Sequence, residues 1–521
     1  MGLIQDLVFK KKPYRFRERK AVPPAAGDYH GFRRDLDDVF TLDDRTWRDL
    51  DMDQVFALMN RTFTAPGEQV LYDLMRCPLQ DRQSLTERYV LIAACGSDRS
   101  ALDALRRALD DLGYDDGESL ADMLWRPAKE REQGAWMYQA AFLLLCAIPF
   151  SLFISIPLGI FLFVASYATN IWLHYRLKKR IWYELPTTTY LGRMLRAALR
   201  IAQLKMEFFK EQMDTCAKAA KATKSLRRKL VFTTLLGSNT AEDLLSMLKV
   251  SLLAEARAYF SSRRGIDKHR LLLQDTFRAI GYLDAVQSIV AYRSQQTKHC
   301  DPVFVPEQTR IIAKEAYHPL LSSPVPNDYA LSWAGLVVTG SNMSGKTTFL
   351  RTVGINAVFA QTILTVFAAS YTSGIWRPIS AIGRADNLIE GKSYYLDEAL
   401  AVLRIVKNTQ GNQPCLCLLD ELFRGTNSKE RVAAAVSTIR FLQREGCCTL
   451  LATHDLEIVA LVRGEYENGH FEEDVEQEGL CFNYKLLSGP AHRTNALEVL
   501  RFVGFPMEII DEARILAGAG D

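Results

Sequence analysis

The apolar residues of this 521-residue chain follow three different patterns along its length. From about residue 35 to residue 131, and again from 241 to 297, they recur every three or four positions, as Val55, Leu58 and Met59 do. That spacing predicts amphipathic helices. After about residue 310 the apolar residues form short runs that end in glycine-rich or polar loops and alternate with helical patterns. This second pattern predicts an α/β domain with buried parallel strands.

The third pattern is a continuous apolar stretch from 135 to 175, which has 41 residues and no Asp, Glu, Lys or Arg. One membrane-spanning helix needs about 20 apolar residues, so this length fits two. Ser155, Pro157 and Gly159 lie near the midpoint, where a tight turn is expected. Aromatic residues lie at the two ends, namely Trp136, Tyr138, Trp172 and Tyr175. Basic residues beyond both ends predict that both termini are cytoplasmic, as for a multi-pass protein of the cell inner membrane. The alternative is a helical hairpin buried in a large soluble core.

A glycine-rich loop follows the apolar run Leu336-Val337-Val338 and has the spacing G-x-x-x-x-G-K-[ST], from Gly340 to Thr347. A strand, this loop and a helix in that order predict a phosphate-binding site for ATP. The expected contacts come from the backbone and side chains of Gly340, Ser341, Asn342, Met343, Ser344, Gly345, Lys346, Thr347 and Thr348. Lys346 is expected to reach the β- and γ-phosphates, and Thr347 to bind Mg²⁺. A chance glycine turn is the alternative, but eight positions in the right context make it weak.

Two carboxylates end the apolar run Cys415 to Leu419, and they predict the second half of this site. Asp420 is expected to hold Mg²⁺ beside Thr347, and Glu421 to orient or deprotonate the attacking water. Another apolar run ends at His454, which fits a sensor of the γ-phosphate if its strand lies beside that of Asp420. A structural histidine is the alternative.

Ser393 precedes an amphipathic helix and has two interpretations. Its hydroxyl can cap that helix. With Lys392 it can also offer a hydroxyl, a charge and a helix N-terminus to the γ-phosphate bound by a second subunit. Spacing alone favours the cap.

Composition adds little, because Lys and Arg number 64 and Asp and Glu 61, a net charge of +3. Local charge is more informative. Residues 1–34 form a basic segment, which is either a flexible tail or a segment attracted to anionic lipid or nucleic acid, and 176–229 contain fifteen Lys and Arg against four acids. Such a cluster beside a membrane segment favours anionic lipid headgroups, although double-stranded DNA would use the same charges. The ten scattered cysteines predict reduced thiols, and the N-terminus does not resemble a signal peptide.

Several stretches together resemble the MutS family of DNA mismatch-repair ATPases, relatives of the ABC-type ATPases. They are TGSNMSGKTTFLR (339–351), GRADNLIEGKSYYLDEA (383–399), LLDELFRGTNS (418–428) and LLATHDLE (450–457). The pair Asn342-Met343 is particularly characteristic, and NALEVLRFVGFPMEIIDEAR (495–514) is similar to the family's dimerising helices. The resemblance implies a homodimer with two composite ATP sites, in which Ser393 of one subunit faces the nucleotide on Lys346 of the other. It also implies ATP-driven closure that is passed on through lever helices.

The chain departs from the family in three respects. Pro324 stands where the family often has an aromatic residue that stacks on adenine. No N-terminal mismatch-reading domain or connector domain is recognisable, so mismatch recognition by the usual wedge is unsupported. The family does not ordinarily carry a membrane hairpin.

These observations predict an α/β ABC-type P-loop ATPase domain behind a largely α-helical core and lever region that carries a transmembrane hairpin. The expected segments are a basic tail (1–34), a first helical core part (35–134), the hairpin (135–175), a basic second core part (176–300) and the ATPase domain with its dimerisation helices (301–521). The expected function is that of a dimeric, Mg²⁺-dependent ATPase and conformational switch on the cytoplasmic face of a membrane, acting on lipid or an unidentified protein partner. A membrane-tethered DNA-binding protein of repair or recombination type is the alternative. A scaffold that uses nucleotide only to hold its dimer together is a third hypothesis, which the intact Lys346, Asp420, Glu421 and His454 disfavour.

Overall fold

A computed structural model of the chain describes most of its residues. The described ranges are 23–34, 39–114, 119–126, 135–204, 206–237, 254–305, 310–341, 344–382, 394–409, 414–476, 479–489 and 496–516. Asn342, Met343 and Ser393 lie outside these ranges, as do residues 1–22. Within the described ranges a helical region precedes a mixed α/β region.

The helical region contains thirteen α-helices among its described residues. They are α1 (Asp28–Arg34), α2 (Asp44–Asp49), α3 (Met52–Met59), α4 (Ala65–Arg76), α5 (Arg82–Ser97), α6 (Arg99–Asp110), α7 (Leu120–Trp125), α8 (Ala135–Leu152), α9 (Ile156–Ile201), α10 (Lys210–Ala222), α11 (Lys224–Gly237), α12 (Ala254–Lys268) and α13 (Arg270–Gln295). Short 3₁₀ turns occupy Pro24–Gly27 and Glu207–Phe209. Tyr29 and His30 of α1 are buried, so the predicted tail does not extend to residue 34.

The apolar stretch forms two helices, α8 and α9, that turn back on each other at 153–155. The turn lies where Ser155 and Pro157 predict it. The second helix does not end near residue 175, however, but continues without a break for 46 residues to Ile201. Among the described residues, one 18-residue window, Ile156–Leu173, is long and apolar enough to cross a membrane, with a mean hydropathy of 1.6 and 22% of it buried. Length and composition alone define that window, so membrane insertion stays a prediction.

The α/β region contains two sheets. Its strands are β1 (Val303–Phe304), β2 (Ile311–Ala316), β3 (Asn327–Leu331), β4 (Leu336–Thr339), β5 (Ser370–Ser373), β6 (Arg377–Ala381), β7 (Cys415–Asp420), β8 (Cys448–Ala452), β9 (Glu467–Glu476) and β10 (Gly479–Ser488). Its helices are α14 (Lys346–Thr362), α15 (Tyr394–Asn408), α16 (Ser428–Arg444), α17 (Leu456–Leu461), α18 (Ala496–Val503) and α19 (Met507–Leu516). The smaller sheet has the order β1-β5-β2-β3, and the larger one β10-β9-β4-β8-β7-β6.

The larger sheet brings the predicted motifs together. Strands β4, β8, β7 and β6 are parallel, and β9 also pairs in parallel with β4. The carboxyl ends of β4, β8 and β7 therefore meet at one edge, which is where ligands bind in open α/β sheets. The strands are apolar and buried because both faces of a parallel sheet are covered by helices. The three strands predicted at these places are present.

The helical region packs directly on the helix that follows the glycine loop. The Arg351 side chain of α14 donates to the Asp49 carbonyl at 2.9 Å and pairs with the Asp51 carboxylate at 2.8 Å. Leu50, between these two acids, is fully buried in a hydrophobic cluster that also contains Val353 of α14. One continuous core thus joins α2 and α3 to the glycine-loop helix.

Candidate functional site: the glycine loop and its acidic partners

The glycine loop leaves β4 at Thr339 and enters α14 at Lys346. Gly340 and Gly345 have φ angles of +146° and +104°, which favour glycine because a side chain there is strained. A Cβ at Gly340 would also lie 2.9 Å from the Phe471 carbonyl oxygen of the neighbouring strand. The backbone therefore turns tightly against the sheet edge and begins a helix, the geometry that directs N–H groups at an anion.

Polar side chains of the loop surround the space inside the turn. The Lys346 ammonium donates to the carbonyls of Gly340 and Ser341 at 2.7 and 2.6 Å. The Ser344 hydroxyl is buried and has no hydrogen-bond partner in the described part of the chain. Thr348, in the first turn of α14, lines the same cavity. This set can bind a phosphate group, and Asn342 and Met343, predicted to contribute, lie outside the described residues.

Thr347 and Asp420 meet across the sheet edge. The Thr347 hydroxyl donates to Asp420 Oδ2 at 2.7 Å, although the two residues are 73 positions apart. Asp420 Oδ1 is buried without a partner among the described residues. Burial raises the pKa of Asp420, and the Thr347 hydrogen bond opposes that rise. A buried carboxylate oxygen beside a hydroxyl is the oxygen-ligand chemistry that Mg²⁺ requires, so the residues present fit this ion.

Glu421 lies at the centre of a charged cluster. His454 Nδ1 is 3.0 Å from Glu421 Oε2, and Arg424 pairs with the same oxygen. Burial raises the pKa of Glu421, but the hydrogen bond from His454 and the charge of Arg424 outweigh it, so the net shift is downward. The same hydrogen bond raises the pKa of His454. Glu421 has a φ of +48°, rare for a residue with a side chain and often found at functional sites.

The pairing of β7 with β8 explains why these side chains meet. Asp420 lies opposite Ala452, so Glu421 and His454 both follow the carboxyl ends of adjacent strands. The Glu421 N–H donates to the Ala452 carbonyl at 2.9 Å, which ties the two ends together. The predicted proximity of His454 to the acids is therefore confirmed.

A cavity of about 1280 Å³ opens in front of the loop and the acids. Both regions of the chain line it, since Arg45 and Arg48 of α2 face it together with Asp397 and Glu398 of α15. Sequence reasoning missed Arg45 and Arg48, because they lie about 300 residues before the loop and no local motif marks them.

Two further residues line the cavity at a place where the adenine of a nucleotide could bind. Pro324, the predicted departure from the family pattern, lines the cavity, and so does Tyr484 of β10. The Tyr484 ring lies 3.2 Å from where a Cβ on Gly345 would be, and it stacks on Phe482. The alternation of polar and aromatic residues in β10 was the available signal for Tyr484. Ser393 itself lies outside the described residues, immediately before α15.

The fold and the site define a mixed α/β domain with a glycine loop, preceded by a helical region that packs on it. Residues 336–518 match the family model described as MutS domain V. The chain is 34% identical over 271 residues to the DNA mismatch repair protein MutS of Thermus thermophilus, which covers 51% of this chain and 32% of that protein. It is 32% identical over 301 residues to the protein of that name from Desulfovibrio desulfuricans (55% and 32% covered) and 30% identical over 276 residues to that of Clostridium kluyveri (50% and 31%). Residues 336–518 belong to the MutS domain V family, and the whole chain spans about a third of the length of these relatives.

Proposed function

We propose that the protein binds and hydrolyses ATP with Mg²⁺ at the glycine loop and uses the cycle as a conformational switch. The contact between Thr347 and Asp420, at 2.7 Å, carries this proposal. It joins the end of the phosphate-binding loop to an acidic strand end in the arrangement that P-loop nucleotide hydrolases use.

Each side chain has a distinct part in the proposed reaction. Lys346 leaves the Gly340 and Ser341 carbonyls and pairs with the β- and γ-phosphates. Thr347 and Asp420 would hold Mg²⁺, which would neutralise phosphate charge. Glu421 accepts a proton from the attacking water or orients it, and His454 senses the γ-phosphate from the next strand. The Tyr484 ring offers a stacking surface for the adenine in place of the residue at Pro324.

The Arg424–Glu421 ion pair has a consequence for regulation of the site. While Arg424 and His454 both engage one oxygen of Glu421, that carboxylate is a weaker base. Hydrolysis then requires Arg424 to turn towards the phosphates, which frees Glu421 for water.

The switch is proposed to act as a homodimer with composite sites. The C-terminal helices α18 and α19 expose large apolar side chains, at Val503, Phe505, Met507, Ile509, Ile515 and Leu516. Such a patch is typical of a protein interface. Ser393 would reach the γ-phosphate of the second subunit from the segment before α15.

We further propose that the hairpin α8–α9 attaches this dimer to the cytoplasmic face of a membrane. A full crossing and a shallower insertion both keep the two ends of the hairpin on one side. The exposed apolar side chains of the hairpin support attachment, and the exposed basic side chains of α10 and α11 suit anionic headgroups. A protein partner at the membrane is the expected recipient of the motion.

A membrane-tethered DNA-binding protein is the second candidate function. The same exposed basic side chains favour it, namely Lys210, Lys218, Lys221, Lys224, Arg228 and Lys229. Duplex DNA binding by the purified dimer, with and without ATP and across salt concentrations, separates the two candidates. Saturable, ATP-sensitive binding supports the DNA function, and no binding at moderate salt supports the membrane-partner function.

Two substitutions test the proposal that the protein binds and hydrolyses ATP. Glu421→Gln keeps the size of the side chain but removes the base, so turnover should fall about 10²-fold or more while ATP stays bound in a closed dimer. Lys346→Ala should lose ATP binding itself. Turnover and retained radiolabelled nucleotide are measured on the purified protein.

Glu445→Gln is the matched control, because Glu445 is exposed at the end of α16 and does not line the cavity. It should leave turnover and retention unchanged. Unchanged turnover in Glu421→Gln would remove Glu421 from the catalytic role.

A further inference from the structure

The tip of the α8–α9 hairpin is apolar on all sides. Phe150, Phe153 and Ile154 are 73%, 91% and 81% exposed, so the turn itself presents large apolar side chains. Exposed apolar side chains continue down both helices, at Leu143, Leu144, Ile156, Leu158, Ile160, Phe161, Phe163 and Val164. An uncharged, exposed apolar patch of this extent marks a surface that contacts a membrane or another protein.

Polarity changes abruptly along α9. Residues 156–165 contain no hydrogen-bonding side chain. Polar side chains follow from Ser166 onwards; Ser166 and Asn170 are buried, whereas Tyr167 is partly exposed, Thr169 is exposed and Trp172 is 57% exposed. Ten residues of helix rise about 15 Å, which is half the ~30 Å hydrocarbon thickness of a bilayer. The purely apolar part of α9 therefore fits one leaflet.

The packing of α8 against the rest of the protein indicates a similar depth of insertion. Tyr138 and Ala141 pack in one cluster with Leu173 and with Tyr259 and Phe260 of α12. The body of the protein thus contacts the hairpin as far as Ala141. Residues 142–152 follow this cluster to the end of α8, and these eleven residues rise about 16 Å.

Interfacial residues are also confined to one end. Outside the buried cluster, the Trp and Tyr side chains that can anchor a helix at headgroup level occur near the root, at Tyr167 and Trp172, whereas the aromatic residues at the tip are all Phe. A hairpin that crosses a membrane is expected to have such residues at both interfaces.

The turn satisfies its own backbone groups, as a turn surrounded by lipid must. The N–H groups of Ile154 and Ser155 donate to the Ser151 carbonyl at 3.1 and 3.0 Å, and that of Phe153 to the Phe150 carbonyl at 3.3 Å. The Ser151 hydroxyl donates to the Ile148 carbonyl at 2.7 Å. Pro157, in the first turn of α9, has no N–H to satisfy.

We propose that the hairpin enters the bilayer from the cytoplasmic side, inserts through one leaflet and turns back near the midplane without crossing. The acyl chains of the lipid are the partner that this surface fits. The proposal rests on the membrane attachment proposed above and sharpens it, because a re-entrant hairpin replaces a spanning one.

A pair of lysine substitutions distinguishes a hairpin that turns back near the midplane from one that spans the bilayer. Phe153→Lys places a charge at the exposed tip, and Ala168→Lys places one about 18 Å down α9 from its start, at an exposed position. For a re-entrant hairpin, Phe153→Lys should weaken flotation with phosphatidylcholine–phosphatidylglycerol vesicles at least tenfold, and Ala168→Lys should have little effect. A spanning hairpin gives the reverse order, since its tip reaches the far headgroups, and that result would overturn the proposal.

Depth is measured independently with a nitroxide label at Ser155→Cys, with Ala168→Cys as the headgroup-level control. The Ser155 side chain makes no capping hydrogen bond, so its replacement leaves the turn intact. The unsubstituted chain, labelled in parallel, supplies the background of the native cysteines.

Three outcomes are distinguishable. Relaxation of the label at 155 by oxygen, but not by a water-soluble nickel complex on either side, supports the re-entrant hairpin. Relaxation by nickel complex trapped inside the vesicles shows that the hairpin crosses the membrane. Relaxation by external nickel complex shows that the hairpin binds only at the surface. Either result would overturn the proposal. If the unsubstituted chain does not float with vesicles, the membrane attachment itself fails, which is a different result.

Discussion

The residue whose chemistry is most unusual outside the candidate site is Asp284, which is completely buried in α13. Its carboxylate accepts from the Thr64 N–H and hydroxyl at 2.8 and 2.6 Å, from the Phe63 N–H, and from the Gln287 amide. Burial raises the pKa of Asp284 to about 6, although these hydrogen bonds oppose the rise. The side chain joins α13 to the start of α4 across 220 positions of sequence.

This burial predicts a pH-dependent stability. A carboxyl whose pKa is higher in the folded than in the unfolded protein stabilises the fold below the unfolded value, 3.8, and loses that contribution as pH rises through about 6. The contribution of Asp284 to the free energy of unfolding should therefore fall by roughly 3 kcal/mol between pH 4 and 7. Urea unfolding of the unaltered chain and of Asp284→Asn over that range isolates the contribution as the difference between them.

Asp275→Asn, an exposed acid on the same helix, is the control and should follow the unaltered chain. A difference between the unaltered chain and Asp284→Asn that does not change with pH would contradict a raised pKa.

Among the elements, the crossing of α4 and α13 organises the helical region. Thr64 caps α4 by accepting from the Gly67 N–H at 3.0 Å, and Gly67 faces Asp284 directly. A Cβ on Gly67 would lie 2.0 Å from Asp284 Oδ2, so the two helices meet at a distance that only glycine permits. The capping threonine and the glycine are local features, but the contact they serve is distant in sequence.

Gly67→Ala should lower the free energy of unfolding by about 1–3 kcal/mol, because the methyl group must displace the buried carboxylate. Gly96→Ala in α5 is the matched control. Its Cβ would meet Val290 at 3.6 Å, an ordinary contact, so the helix should gain up to about 1 kcal/mol. Both changes are measured by thermal or urea unfolding, and equal effects of the two would contradict the close approach.

At the scale of the whole molecule, the helical region and the α/β region are joined by a buried polar contact. Asp49 lies between the two regions, where its carboxylate accepts from the Ser380 hydroxyl at 2.8 Å and from the Ile382 N–H at 3.0 Å. This buried polar contact joins the end of α2 to the end of β6.

Dimer formation is the prediction that belongs to this scale. Val503→Asp should convert the dimer to a monomer in sedimentation equilibrium without lowering the melting temperature, because this side chain is 67% exposed in the single chain. Leu271→Asp, at a similarly exposed leucine of α13, should leave the dimer intact. A chain that is monomeric both with and without ATP would contradict the proposed homodimer.

Features that depend on residues close together in the sequence were predictable from the sequence. The glycine loop, the strand that ends at Asp420 and the turn near Ser155 each depend on neighbouring residues, whose spacing directly determines local backbone geometry. The place of His454 beside Glu421 was also predictable, because strand ends in a parallel sheet converge. These features carry the predicted phosphate site and the resemblance to the MutS family.

The rest depended on tertiary structure. Nothing near Arg45 or Asp284 in the sequence indicates that they meet the cavity in front of the glycine loop or the start of α4, because those contacts join residues more than a hundred positions apart. The length of α9 was missed because the change from apolar to basic side chains near residue 175 alters the surroundings of a helix without breaking its hydrogen bonds. Sequence by itself determined which chemistry the chain carries. Packing decided which distant side chains surround it, because burial and charge pairing depend on the whole fold.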